Sequence, residues 1–326
     1  MIMNNEEFLD LTRLEYVSNW IPGAIRAVCR KIQGRNTFSM KRYNGSPILN
    51  GEKANIHFQK CLDNDQPFLV ARFGDGELRA VVYYIEKKLG FRKSYPDYIK
   101  VVLERNAGFF PASEENIDKF GQLMIESCKQ VDVLAVWFNF LEDFVYRKFG
   151  PQNGICVYPS ALEPFWYPNP WSTALEGKKV LVIHPFEETI KKQYNENRQR
   201  LYHENNVLPV FTLHTLKAVQ SLGGCSNEFD NWFDALDYMY QKAMTIDFEI
   251  AIIGCGAYGF PLAAKLKQSG KKVIHMGGVT QFLFGIKGGR WDSRPDYAAF
   301  YNDYWVRPLE SEKPKSADQV ENGCYW

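Results

Sequence analysis

Several broad classes of protein are excluded by what this chain lacks. It has no C-x-x-C pair: its seven cysteines stand apart at positions 29, 61, 128, 156, 225, 255 and 324. An odd, scattered set reads as reduced thiols, not as a disulfide framework or a zinc site. It has no excess of charge of one sign. With 39 Lys and Arg against 38 Asp and Glu, the net charge is +1, so the broad basic field that nucleic-acid binding needs is missing. No apolar run is long enough to span a bilayer. Met1 to Glu7 is acidic, with no apolar core behind a basic start, unlike a secretory signal. Internal repeats and low-complexity blocks are absent too. A cytoplasmic protein is expected.

What is present is the composition of a globular protein, 45% apolar and 24% charged over 326 residues. Aromatics reach 15%. Rings fill cores, and they also line sites for sugars and other flat-faced ligands.

Short apolar runs alternate with helical patterns along most of the chain. Strands are expected at 68–71, 131–138, 155–158, 178–186, 207–213, 248–253 and 271–275. Helices are expected over 7–33, with a break or kink at Pro22-Gly23, and over 52–64, 77–89, 114–129, 141–149, 187–204, 229–245 and 261–269. Ser113 followed by Glu114 and Glu115 supplies a hydroxyl cap and first-turn acids for one of them. Residues 35–51 read as a linker, 91–112 as mixed, and 214–227 as a loop around Gly223-Gly224. The proline-aromatic run from Glu163 to Trp171 cannot be regular helix. It reads either as a loop offering rings to an acceptor or as a surface crossing held by those rings. This pattern predicts an α/β, Rossmann-like three-layer fold with a mainly parallel sheet, plus an N-terminal helical segment. The division expected is an extension and linker over 1–50, one main domain over 51–308, and a loosely ordered tail over 309–326. Within the extension, Trp20 to Arg35 has an apolar side plus Arg26, Arg30, Lys31 and Arg35. It reads as a helix packed on its own domain, with docking to a partner or to the inner face of a membrane as the alternative.

Three constellations could carry chemistry. In Arg72-Phe73-Gly74-Asp75-Gly76-Glu77, two carboxylates sit one residue apart where a strand gives way to a helix. Ligands of open α/β sheets bind outside the carboxyl ends of strands. Such a pair could hold Mg²⁺ or Mn²⁺ against a phosphate, with Arg72 and Arg79 adding phosphate contacts. The plainer reading is a turn whose acids suit the first turn of a helix. Next, Gly254, Gly256 and Gly259, with Tyr258 among them, match G-x-G-x-x-G between a strand and a helix. Backbone amides there would cradle a phosphate, or the glycines serve tight strand–helix packing. An NAD(P)-dependent oxidoreductase is the reading to test. It lacks the acid that should end the next strand, which stops at His275, and about 50 residues remain for a second nucleotide-binding half. Last, the glycine-rich stretch from His275 to Asp292 holds Gln281, Lys287 and Arg290. His275 or Gln281 could hold a sugar hydroxyl or a ribose, and Lys287 and Arg290 could steady a departing diphosphate. Histidines so placed also serve structure alone.

With these residues in view, the strand–RFGDGE–helix stretch resembles the GT-D-fold glycosyltransferases, which carry an Asp-x-Glu motif near the first strand. The pair Ile253 to Ala263 and Lys272 to Gly278 resembles the closing strand–glycine loop–helix–strand of that family and of related capsule and surface-polysaccharide biosynthesis proteins. The resemblance implies a hexosyltransferase-type glycosyltransferase. It would use a nucleotide-sugar, usually a UDP-sugar, with Mn²⁺ or Mg²⁺, and a glycan, glycolipid or glycoprotein as acceptor. By that match Asp75 and Glu77 take the donor and metal role, with His275 beside them as a catalytic candidate. Arg72, Gly74, Gly254, Gly256, Tyr258, Gly259, Gln281, Lys287 and Arg290 would bind the donor. A module that binds sugar nucleotides without turnover is the remaining alternative.

Overall fold

Short, wholly apolar runs become strands when helices can cover both of their faces, and that is the outcome here. The computed structural model describes residues 10–34, 38–43, 45–203, 206–221, 228–313 and 323–326. Among them lie nine strands: β1 (Arg42–Tyr43), β2 (Ser46–Leu49), β3 (Phe68–Ala71), β4 (Val133–Ala135), β5 (Ile155–Val157), β6 (Lys179–His184), β7 (Thr212–Lys217), β8 (Ile250–Ile253) and β9 (Lys272–His275). They form one sheet in the order β1-β2-β5-β4-β3-β9-β8-β6-β7. Only β1 and β2 pair antiparallel; every other pairing is parallel. The fold is therefore α/β with a mainly parallel sheet, as the alternating pattern predicts.

The helices are α1 (Arg13–Gln33), α2 (Gly51–Asp63), α3 (Asp75–Lys88), α4 (Asp97–Ala107), α5 (Glu114–Cys128), α6 (Glu142–Phe149), α7 (Glu187–Asn197), α8 (Trp232–Met244) and α9 (Gly259–Gln268), with shorter turns between. The strand period of two sorts the core into two layers. Leu69 and Ala71 of β3, with Ala251 and Ile253 of β8, meet apolar residues of α3, α5, α6, α8 and α9. Their neighbours Phe68, Val70, Ile250 and Ile252 meet α2, α7 and the segment 282–305. Local signals act as expected at α5, where the Ser113 hydroxyl accepts from the Asn116 amide at 3.2 Å.

Several expectations are corrected. α1 runs unbroken through Pro22. Pro22 and Ser18, four residues earlier, are both exposed, so the carbonyl that proline leaves unbonded meets water. The stretch read as a linker supplies β1 and β2, which bury Tyr43 and extend the sheet through β5. The mixed stretch holds α4, which buries Ile99, Leu103 and Ala107 at four-residue spacing. The strand expected at 207–213 lies further along, as β7. Val207, Leu208 and Phe211 are buried as a crossing over the sheet without joining its ladder. In the tail, buried Glu312 accepts from the Glu188 amide at 2.7 Å and from the Thr189 hydroxyl, so that part is packed. Residues 314–322 of the tail, the Gly223-Gly224 loop and residues 7–9 of the first helix lie outside the described residues. The six described cysteines are all free. No helix among the described residues is long and apolar enough to cross a membrane.

Candidate functional site

The sheet order places β3 between β4 and β9. The chain leaves β3 for α3 on one face and leaves β9 for 276–283 on the other, where Met276, Phe282 and Leu283 are buried. A crevice must open where the two connections part, at the carboxyl ends of the strands. A cavity of about 530 Å³ lies there. Arg72, Gly74, Asp75, Glu77, Gly254, Gly256, Tyr258, His275, Gln281 and Arg290 all line it. The loops after β3 and β8, about 180 positions apart, thus share one wall. Lys287 does not line the cavity: its ammonium lies 5.2 Å from the centre of the Tyr301 ring, and its amide is bonded to Val306. It is placed to steady Tyr301, not a diphosphate. Gly259 stands behind the lining, where any side chain would strike His275.

Arg72 follows directly on buried β3. Its Nε donates to the Met276 carbonyl at 3.1 Å, and its guanidinium lies 5.8 Å from the Trp137 ring centre. Among the described residues no carboxylate pairs with it at ion-pair distance. Burial pulls its pKa down, while Tyr325 and Glu77 push it up. Gly277 lets this guanidinium in. Its φ is +68°, and a Cβ there would collide with Arg72. Arg290 brings a second guanidinium to the same cavity, 4.6 Å from the Tyr325 ring centre, with its amide bonded to the Cys324 carbonyl.

The two carboxylates are differently employed. Asp75 pairs with Arg79 one turn on, at 3.0 Å, and both side chains are about half exposed. Glu77 is the third residue of α3, and its carboxylate folds back over the cap residue Gly74. That is the position of the acid in a capping box. Both serve the helix start, as the plainer reading has it, and both still face the cavity. They are its only carboxylates among the described lining residues. No group of three or more His, Cys, Asp or Glu among the described residues is placed to share a metal ion. Among the described lining residues this pair alone offers side-chain carboxylates to a cation; Mg²⁺ and Mn²⁺ are ions that complete such a shell with phosphate and water.

Two histidines close the floor. His275 is buried, its Nδ1 has no hydrogen-bond partner, and burial followed by the charge of Arg72 pushes its pKa down to about 3. His184 ends β6 as expected. Its Nδ1 accepts from the Phe186 amide at 3.0 Å, so its proton resides on Nε2, and burial pushes its pKa down to about 3. Gln281 is buried, donates to the carbonyls of Lys287 and Tyr325 at 3.1 Å each, and keeps Oε1 unpartnered. His184, Trp137, Tyr325 and Trp326 also line the cavity, although no motif marks them as site residues. For His184 the available signal is its place at a strand end. For Tyr325 and Trp326 no local signal exists, since they come after a polar stretch. The strand after the glycine loop ends in His275 at this cavity with no acid beside it, so the dinucleotide reading gains nothing from the fold.

No protein-family model matches the chain, and no curated protein matches it. Two solved structures are similar to it. One is a selenomethionine-substituted domain of unknown function 1792, at 12% identity and a TM-score of 0.43, covering 84% of this chain and 94% of that one. The other is described as a highly conserved domain of unknown function 1792 with a distinct glycosyltransferase fold, at 12% identity and a TM-score of 0.42, with the same coverage. At that distance neither likeness bears on activity, and a functional reading has to rest on the cavity.

Proposed function

We propose that this protein is a glycosyltransferase that takes a nucleotide-sugar, a UDP-sugar by the family resemblance, and passes the sugar to a hydroxyl of a surface glycan, glycolipid or glycoprotein. The observation that carries this is the pairing of Arg72 and Arg290 in one cavity at the strand ends, beside Trp137, Tyr325 and Trp326. Two guanidiniums match a diphosphate, and the rings offer faces to a base or a sugar. In the transfer, the acceptor oxygen forms a bond to the anomeric carbon while the bond from that carbon to the phosphate oxygen breaks. The electron pair leaves with the nucleoside diphosphate, and the hydroxyl proton passes to a base. Arg72 and Arg290 offset the charge that grows on the leaving group. The buried neutral histidines are poor bases, and His184 offers an Nε2–H donor to a hydroxyl or phosphate oxygen. Accepting the proton, or holding a divalent cation, falls to Asp75 and Glu77. Such a cation, when bound, would neutralise charge on the diphosphate.

The test is hydrolysis or transfer with a panel of nucleotide-sugars, with and without Mn²⁺. At least one donor should turn over. Asp75→Asn and Glu77→Gln should lose about a hundredfold or more in kcat/KM with little change in fold stability, because an exposed pair such as Asp75–Arg79 contributes only about 0.5 kcal/mol. If both variants turn over donor like the parent, their assigned role is wrong. If reduced nicotinamide binds and no nucleotide-sugar does, the oxidoreductase reading replaces this one.

A further inference from the structure

α1 turns its polar side inward and its apolar side to water. On the inner side Arg26 pairs with Asp143, Arg30 Nη1 donates to Asn139 Oδ1 at 2.9 Å, and Tyr16 donates to Glu86 at 2.7 Å. On the outer side Leu14, Val17, Ile21, Ile25, Val28 and Ile32 are each between 42 and 80% exposed. Trp20 flanks them, edge-on to Phe140 at 5.8 Å. A continuous apolar row of this kind on a globular fold marks a surface that something covers. The steps along it of three, four, four, three and four residues keep pace with the turn of a straight α-helix, so the row forms a ridge about 30 Å long instead of winding round the helix. A straight ridge suits a flat surface.

Charge identifies that surface. Arg26 and Arg30 are engaged on the inner side, and Glu15, the one acid of α1, is paired with Lys148, so the charges that α1 leaves exposed are the cations Arg13 and Lys31 near its two ends. A second copy of the helix would bring the same cations to the same face. An anionic lipid surface is complementary. Beyond the N-terminal end, Phe91 continues the apolar surface with the Arg13 guanidinium 5.7 Å from its ring centre. We propose that α1 lies flat on a membrane of anionic phospholipid, its ridge sunk among the acyl chains and Arg13 and Lys31 at headgroup level. The inference holds whatever ligand the cavity takes.

Flotation of the full chain with vesicles of phosphatidylcholine, with and without phosphatidylglycerol, tests it. The parent should float with the anionic vesicles, less with phosphatidylcholine alone, and less again as salt is raised. The double variant Ile21→Glu, Ile25→Glu changes only exposed positions, so its circular dichroism and Tm should match the parent. Its partition should fall at least about tenfold. The proposal is overturned if the parent ignores both vesicle types or if parent and variant partition alike. It is equally overturned if sedimentation equilibrium shows the ridge driving self-association in place of vesicle binding.

Discussion

His184 and His275 are neutral in the folded protein because burial removes the water that would solvate their charge, and Arg72 adds repulsion at His275. Each has a folded pKa near 3 against an ordinary 6.5. Between those values the unfolded chain binds a proton that the native protein does not, so each histidine withdraws stability as pH falls below 6.5. Buried Glu142 works in the opposite sense. Burial raises its pKa to about 7, so the native state binds the extra proton and gains stability over much of the same range. The parent's total slope is therefore damped, and the informative quantity is a difference. His184→Asn keeps an acceptor for the Phe186 amide and cannot titrate. Urea unfolding of parent and variant from pH 6 to 4 should show the parent losing about 1.4 kcal/mol more per pH unit. Equal slopes would mean that His184 is hydrated and protonated in the native protein.

The short elements show what could be read from the chain and what could not. β3, β6, β8 and β9 are dense apolar runs followed by glycine or polar turns, and both the runs and the loops after them were legible. The edge strands β1 and β7 were not, because an edge strand is held by backbone pairing on one side and makes little demand on side chains, and β2 carries only four residues between β1 and β5. The apolar run at 207–211 misled because its residues fill the core without entering the ladder. α1 was legible as a helix but not in its orientation. Periodicity locates an apolar face and is silent on which way it points. Gly277 tests how the loop after β9 shapes the site. Gly277→Ala meets both the strain of a +68° φ and a collision with Arg72. Gly270 has a φ of +85°, and a methyl group added there would have nothing within 4 Å. Both alanine variants should lose about 1–2 kcal/mol in urea unfolding. Only Gly277→Ala should also weaken binding of a nucleoside diphosphate by calorimetry, because only there is the guanidinium displaced. Equal binding by the two would show that Arg72 is not held by this glycine.

At the scale of the whole molecule, the cavity is assembled from segments that share no local signal. β3 and β9 meet at the centre of the sheet, and Tyr325 and Trp326, from the far end of the chain, form a further part of the wall. That wall is fastened by backbone. The Gly289 amide donates to the Trp326 carbonyl at 3.2 Å, the Arg290 amide donates to Cys324 at 2.8 Å, and Gln281 donates to Tyr325. Because main-chain groups make these contacts, the rings can be removed without releasing the segment. The Tyr325 ring lies under Arg290, and the Trp326 ring meets Phe186 edge-on at 5.9 Å. If these faces hold a base or a sugar, Tyr325→Ala and Trp326→Ala should each weaken nucleoside diphosphate binding by about tenfold to a hundredfold, the range expected for one stacking contact. Inorganic pyrophosphate, which has no face to stack, should bind the Trp326→Ala variant as it binds the parent. Tyr325→Ala should weaken pyrophosphate slightly, since Arg290 loses the ring beneath it. Calorimetric titration of both ligands against parent and variants separates the stacking wall from the arginine pair. Unchanged nucleotide affinity in both variants would place the base and the sugar elsewhere in the cavity.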